Sequence, residues 1–375
     1  MAHDSFFTLP VAIAFAAPVK LFELMRTPPF HPVVTGALLF TLTRAPPQIR
    51  EPILANLTKY ASSSIIEKGI TALKTLFALG LARKLHLYLT ELAQNNFRFT
   101  SEASKYDWPN EIALVTGAAG GIGAAIVTDL ADKGLKVIAV DIAPELPSSL
   151  LKNDRIHYHR CDITSRSAVM DLAETIRSDH GDVSILVNNA GIGFAHHTLN
   201  ASEKDLRRLW DVNILSHYWT VQAFLPAMLE KKKGHIVSTA SMASFYPTPG
   251  LGPYSGTKVA ALNLHESLAQ ELRVIYNAPD ILLTIVHPTF VDTAMVANDK
   301  EELQRRRHTI ITAQDVSRGI CGNIFRGRGG QVILAADLGW IPTIIRALPW
   351  WLSYALLRAV QSRQVHVPEV ERALK

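Results

Sequence analysis

The chain has 375 residues, 48% of them apolar, and a formal net charge of +5. That is long for one domain and ample for a full core. Its only cysteines, Cys161 and Cys321, exclude a disulfide framework and favour a reducing, cytosol-facing compartment. Up to Asn110 there are 11 Lys and Arg against 7 Asp and Glu, so nearly all of the positive excess is N-terminal. Basic charge beside apolar sequence points to a membrane surface. Basic residues are not interleaved with aromatics, and no zinc-type Cys/His spacing occurs. No nucleic-acid partner and no metal are expected.

Residues 6–19 form an uncharged, mostly apolar run broken by Pro10 and Pro18, and residues 30–43 form a second. A straight span needs about 20 apolar residues, so neither run crosses a bilayer alone. Ala14-Phe15-Ala16 has the small residues of a signal cleavage site, but the segment before it carries Asp4 and no Lys or Arg. A re-entrant or hairpin anchor bent at Pro28-Pro29 is the better reading. Ser64-Ile65-Ile66-Glu67 has the form of a capping box, and a helical pattern follows to about Gln94. Leu73, Leu76, Phe77, Leu81, Leu85 and Leu92 give it a broad apolar side, and Lys68, Lys74, Arg83 and Lys84 its cations. Two readings stand: a helix packed on the main domain, or an amphipathic helix lying on a membrane. Residues 95–109 are polar and end in Trp108-Pro109. This divides the chain into residues 1–107, a membrane-associating helical region, a main domain over 108–336, and a C-terminal extension over 337–375.

Residues 111–116 read as an apolar strand running straight into Gly117-Ala118-Ala119-Gly120-Gly121-Ile122-Gly123, and residues 124–133 read as a helix ended by Gly134. Strand, glycine turn and helix make a dinucleotide-binding entry. Missing β-carbons let the backbone approach a pyrophosphate, whose charge is favoured at the helix N-terminus. The next strand, residues 136–140, ends in Asp141, 18 residues beyond Gly123. An acid about 20 residues on is where the adenosine ribose hydroxyls are bound.

The pattern Thr116-Gly117-x-x-x-Gly121-Ile122-Gly123 resembles the short-chain dehydrogenase/reductase family, and the resemblance extends over residues 111–335. It implies an α/β fold, a doubly wound parallel sheet (Rossmann), here with apolar helical extensions at both termini. It also implies an NAD cofactor, with NADP as the alternative. Asp162, after the third strand, matches the acid that meets the adenine ring. Asn188-Asn189-Ala190-Gly191 follows the fourth strand and matches the motif that braces the sheet and passes beside the cofactor. Asn213 matches the asparagine that bends its helix and holds a water.

The fifth strand, residues 235–239, precedes Ser241, which stands thirteen residues before Tyr254. That is the family's serine-to-tyrosine spacing, and Ser238 and Ser244 are out of register with it. Tyr254-Ser255-Gly256-Thr257-Lys258 sets a phenol and an ammonium four apart, on one face of a helix. A free tyrosine, with a pKa of about 10, is a poor base at neutral pH, and a nearby positive charge favours its phenolate. The resemblance then implies four roles. Tyr254 moves the alcohol proton, Lys258 lowers the Tyr254 pKa and bonds the nicotinamide ribose, Ser241 steadies the substrate oxygen, and Asn213 holds a water that links Lys258 to solvent. His265, farther along the same helix, is given no role.

The sixth strand, residues 281–286, ends in His287-Pro288-Thr289-Phe290-Val291-Asp292-Thr293. Val291 and Thr293 match positions that contact the nicotinamide carboxamide. Thr289 stands where the family usually has Gly, which puts the local backbone path in question. The charged segment 299–307 reads either as a lobe over the substrate or as a solvated helix face. After the last strand, residues 331–335, an apolar tail over 340–357 carries Ile344, Ile345, Leu348, Trp350, Trp351, Leu352, Leu356 and Leu357 with Arg346 and Arg358. It reads as a helix at a membrane interface or as one packed over the substrate pocket. The tail and the Pro-x-x-Val-x-Thr pattern resemble the membrane-bound branch of the family, which acts on retinoids, steroids and other lipids. The expected protein is an oxidoreductase of a lipophilic small-molecule alcohol or carbonyl on the endoplasmic reticulum or a lipid-droplet surface. Its catalytic domain should face the cytosol, and a homodimer is allowed. An NADP-dependent carbonyl reductase and a non-catalytic lipid-surface scaffold are the alternatives.

Overall fold

The computed structural model describes residues 31–194, 198–305, 308–334 and 343–361, except 344 and 346. The run over residues 6–19, the Pro28-Pro29 bend, Arg306, Arg307, Ala335 and the start of the apolar tail, with Ile344 and Arg346, lie outside the described residues. The chain forms two compact units, residues 1–93 and 94–375.

In the first unit, α1 (Pro32–Thr43), α2 (Pro47–Leu57) and α3 (Ser63–Gln94) follow one another. Pro32 and Pro47 open their helices, where the missing N–H costs nothing. The His31 ring accepts from Val33 N at 3.3 Å and caps α1. Gly36 lets α1 close on α3, because a β-carbon there would stand 2.9 Å from the Phe77 ring. The predicted capping box at Ser64 is not used. Thr58, Tyr60 and Ala61 bond back to carbonyls of α2, and the chain reaches Ser62 already free to open the helix. Ile65 and Ile66 bond to the Ser62 carbonyl, so Ser64 lies inside the first turn. Most apolar side chains of α3 stay exposed, among them Leu81, Leu85, Leu87 and Leu89, and only Gly80 and Leu92 are buried. Among the described residues, no helix is long and apolar enough to cross a membrane.

The second unit is built on a parallel sheet of order β3-β2-β1-β4-β5-β6-β9. Its strands are β1 (Ile112–Thr116), β2 (Lys136–Asp141), β3 (Ile156–Arg160), β4 (Ile185–Asn188), β5 (His235–Thr239), β6 (Leu282–Pro288) and β9 (Gly330–Leu334). A two-stranded ribbon, β7 (Phe290–Val291) with β8 (Ile310–Ile311), stands apart. Strands β1, β4, β5 and β6 are buried along their length, as continuous apolar runs covered on both faces must be. Alternate residues feed two cores. Ala113, Val115, Val137, Val187 and Val237 pack with α4 (Gly121–Asp132) and α10 (Ala313–Phe325). Leu114, Ile138, Leu186 and Ile236 pack on the other face with α5 (Arg166–Asp179), α7 (Ser216–Lys231) and α8 (Gly252–Val274). Two short helices, α6 (Glu203–Trp210) and α9 (Lys300–Arg305), and a terminal α11 (Trp350–Gln361) complete the unit. The strand order reverses between β1 and β4, and ligands of such sheets bind at the carboxyl ends beside that reversal.

The expected boundary at Trp108 differs from the observed one, because the polar stretch before it is part of the second unit. The Asn95 amide donates to Gly329 O at 3.1 Å and accepts from Gly329 N at 2.8 Å. Arg98 and Lys105 share the carboxylates of Glu102 and Asp280 at 2.5 to 3.1 Å. Trp108 stacks on Tyr106 and meets Phe325 edge-on, both at 4.9 Å. Polarity here reflects ion pairing along the domain surface, not a free linker.

Candidate active site

The glycine turn is compact for a reason each glycine states. Gly117 has a φ of +66°, and a β-carbon on it would stand 2.8 Å from the Ala190 backbone. One on Gly123 would stand 1.9 Å from the Gly117 carbonyl. Gly120 faces open space and caps α4 without a side-chain bond. The first N–H groups of α4 therefore present an uncovered positive helix end, which fits a pyrophosphate. Helix α4 begins at Gly121, earlier than the expected residue 124, so Gly121, Ile122 and Gly123 form its first turn. Asp141 ends β2 with both carboxylate oxygens engaged, accepting from Ala119 N at 2.8 Å and Ala143 N at 3.0 Å. Its register partner, Arg160, donates to Ile142 O at 3.1 Å. Arg166, the other basic residue near this end, is occupied by Gln222 and the Trp219 ring on α7. Asp162 is exposed after β3, and one oxygen takes both the N–H and the hydroxyl of Thr164.

Thr116 and Asn189 brace one another. The Thr116 hydroxyl accepts from Asn189 N and Ala190 N at 3.0 and 3.1 Å. The Asn189 amide donates to Thr116 O and Gly117 O at 3.0 and 3.3 Å. Thr116 is buried and works as a clip between β1 and the loop after β4, holding the turn in shape. Across the turn, the Thr293 methyl lies 3.0 Å from where a Gly121 β-carbon would be. Buried Val291 is held in β7 against Ile311. Thr293 thus lies against the same glycine turn that Asp141 bonds through Ala119 N. The Thr289 departure is accommodated. Thr289 is absent from the positive-φ residues, and its N–H continues the β6–β9 pairing onto Leu334 O at 2.8 Å.

Asn213 lies in a π-helical turn, Asp211–Leu215, between α6 and α7. Its side chain donates to Ile192 O and Thr257 Oγ1, both at 3.0 Å, and accepts from Ile192 N at 2.9 Å. The amide is thus a clamp between the loop after β4 and α8. Thr257, inside the Tyr-x-x-x-Lys motif, is the clamp's third member and was not singled out from sequence.

Tyr254 and Lys258 stand one turn apart at the start of α8, as their spacing requires. Lys258 is buried, and its ammonium donates to Thr239 O at 2.9 Å. It lies 5.6 Å from the centre of the Tyr254 ring. Burial pushes the Tyr254 phenol above its ordinary value, and a hydrogen bond with Ser241 pulls it the other way. The Lys258 ammonium stands beside the phenol without a hydrogen bond to it, bonded to the Thr239 carbonyl, and burial brings Lys258 down to about 8. Ser241 accepts from Ala243 N at 3.2 Å, which leaves its own proton to donate. Ser244 is taken up by Lys258 O at 2.9 Å, and Ser238 lies in β5, so Ser241 alone of the three faces the phenol. A β-carbon on Gly193 would meet the Tyr254 ring at 3.5 Å and the Met295 sulfur at 3.2 Å. Gly193 and Met295 thus stand beside the Tyr254 ring. Burial depresses the pKa values of four histidines, His217 and His287 near Lys258 to about 3 and about 4, and the more distant His235 and His265 to about 3 and about 4. All stay neutral in the physiological range. His217 and His287 carried no signal in the sequence beyond their place beside the motifs.

A family model described as short chain dehydrogenase matches residues 111–304. The chain belongs to this family. It is 43% identical over 212 residues to "Dehydrogenase RED2" of Cochliobolus heterostrophus, covering 56% of this chain and 78% of that one. It is 30% identical over 254 residues to human "Estradiol 17-beta-dehydrogenase 11", covering 64% of this chain and 79% of the relative. A Burkholderia phymatum short chain dehydrogenase/reductase solved in complex with NAD superposes with a TM-score of 0.54 at 25% identity, over 60% of this chain and 90% of that one. This short-chain dehydrogenase/reductase is accordingly a nicotinamide-dependent oxidoreductase, as its motifs led one to expect, and it resembles the steroid-dehydrogenase branch of the family.

Proposed function

We propose that this dehydrogenase interconverts a lipophilic alcohol and its carbonyl partner on a membrane or lipid-droplet surface, using NAD in preference to NADP. The observation that carries the reading is the convergence of Ser241, Tyr254 and Lys258 beside the glycine turn at the carboxyl end of the sheet. The cofactor, when bound, supplies or accepts the hydride. Thr116, Gly117, Gly121, Ile122, Gly123 and Asn189 shape its cradle, Asp141 and Asp162 face its adenosine end, and Val291 and Thr293 border its nicotinamide end. Tyr254 takes the alcohol proton or returns it to the carbonyl oxygen. Ser241 donates to that oxygen and steadies its developing charge. Lys258 would bond a ribose hydroxyl of the bound cofactor, and Asn213 ties the loop after β4 to α8 beside it.

The lipophilic substrate is supported by the estradiol dehydrogenase relative and by exposed apolar residues in both units. Val33 and Phe40 of α1 are 70% and 58% exposed, and Trp350 and Trp351 of α11 are 81% and 71% exposed. Such residues gain by entering the headgroup boundary. The two buried, unpaired cysteines accord with a catalytic unit that faces the cytosol of the endoplasmic reticulum. A homodimer of this unit is compatible with the reading.

The test has two arms. Turnover is measured with a panel of lipid alcohols and short polar alcohols, and the full chain is fractionated beside a version beginning at Gln94. Preference for the lipid alcohols and pelleting of the full chain alone are expected. Equal turnover of the polar alcohols, or a detergent-free soluble full chain, overturns the reading.

A further inference from the structure

The β5–β6 pairing ends at a specific place. Thr239 is opposite Val286, and Ala240 N reaches Val286 O at 2.8 Å. Beyond that point Pro288 offers no N–H with which the β6 backbone can extend the ladder. The next contact comes from a side chain: His287 Nδ1 lies 3.1 Å from the Ser241 carbonyl. A carbonyl only accepts, so Nδ1 carries the proton and Nε2 is the bare acceptor. The ring is fully buried and packs against Phe245 with centres 4.5 Å apart. It cannot swing away without opening the core.

Ser241 is thus tied at both ends of its own residue. Its hydroxyl is held by Ala243 N–H, and its carbonyl by Ser244 N–H at 3.0 Å and by the His287 ring. Its backbone is extended, φ −167° and ψ 161°, where the chain leaves β5 for the short turn Met242–Ser244. The turn holds the Ser241 carbonyl from the main chain on one side, and His287 adds a tie from β6.

We infer that His287 is a positioning residue for catalysis, which aims the Ser241 hydroxyl at the substrate oxygen by hydrogen-bonding the Ser241 carbonyl. This rests on the assignment of Ser241 to the substrate oxygen given above. Hydroxyl placement matters because a misplacement of about 1 Å can cost about 100-fold in rate.

The experiment compares His287→Asn with His287→Leu. Both lose the ring and much of its packing, but Asn keeps a donor near the place of Nδ1. In each variant kcat, KM for the alcohol, NAD affinity and melting temperature are measured, in the wild-type and Ser241→Ala backgrounds. His287→Leu is expected to lower kcat by about 10- to 100-fold with NAD affinity unchanged, and His287→Asn to restore most of it. With Ser241→Ala already present, His287→Leu should cost nothing further. Equal losses in Asn and Leu, or the same loss in both backgrounds, make His287 a packing residue and overturn the inference. So does wild-type kcat in His287→Leu while Ser241→Ala is impaired. An active Ser241→Ala single variant overturns instead the assignment on which the inference rests.

Discussion

The ammonium of Lys258 lies 5.6 Å from the centre of the Tyr254 ring and gives its 2.9 Å hydrogen bond to Thr239, not to the phenol. The motif thus puts base and cation within reach of one another without pairing them. Tyr254→Phe removes the proton-transfer group and little else. It should lower turnover by at least about 100-fold, the usual scale for a general acid or base, and leave NAD affinity within a factor of two or so. Turnover near wild type would remove Tyr254 from the chemistry.

Lys258 also leaves a mark on stability. Burial makes the folded-state lysine less basic, about 8 against 10.5. Between those values the unfolded chain holds a proton that the folded chain has released. Stability should therefore rise with pH through that window, by up to about 1.4 kcal/mol per pH unit. Lys258→Met lacks the titrating group and should lack this slope. Denaturant melts of both proteins from pH 7.5 to 10.5 decide it, and parallel curves would show that Lys258 is not held in its depressed state.

The cofactor preference turns on Asp141, whose carboxylate is fixed by Ala119 N and Ala143 N. A 2′-phosphate beside it would be repelled. Wild-type protein should bind NAD more tightly than NADP, and Asp141→Ala should raise NADP affinity by about 10-fold or more. Arg160 is the cation positioned to use the vacated place, so adding Arg160→Ala should cancel the gain. Calorimetric affinities that favour NADP in the wild type, or that ignore Asp141→Ala, would reverse the assignment.

Two neighbouring glycines should fail in different ways. A Gly123→Ala methyl would stand 1.9 Å from the Gly117 carbonyl, so the turn itself must open, with loss of melting temperature before any cofactor is added. A Gly120→Ala methyl meets nothing within 4 Å. That variant should melt as wild type does and yet bind NAD about 10-fold more weakly, because the methyl points where the pyrophosphate must approach. Normal NAD binding by Gly120→Ala would place the cofactor elsewhere.

The parts legible in the sequence were those fixed by local periodicity and spacing. Buried strands announced themselves as apolar runs, and β5 spans the predicted residues 235–239. Tyr254, Lys258 and the glycine turn were legible because their geometry follows from one helix or one turn. Contacts made across the sheet were not. Nothing local in Asn213 says that its amide spans Ile192 and Thr257, nor in Thr116 that its hydroxyl serves two N–H groups of another strand's loop. The bond from Lys258 to Thr239 was hidden for the same reason, since Thr239 is nineteen residues away. Residues 95–109 looked like the approach to a domain boundary because ion pairs and turns share the composition of one.

That segment changes how the catalytic unit meets the rest of its chain. Asn95 grips the Gly329 main chain in both directions, and Arg98 is clamped to Asp280. A pull from the N-terminal side would be borne by these two clips, in shear, before any of it reached β1. They act as a strain relief on a cable.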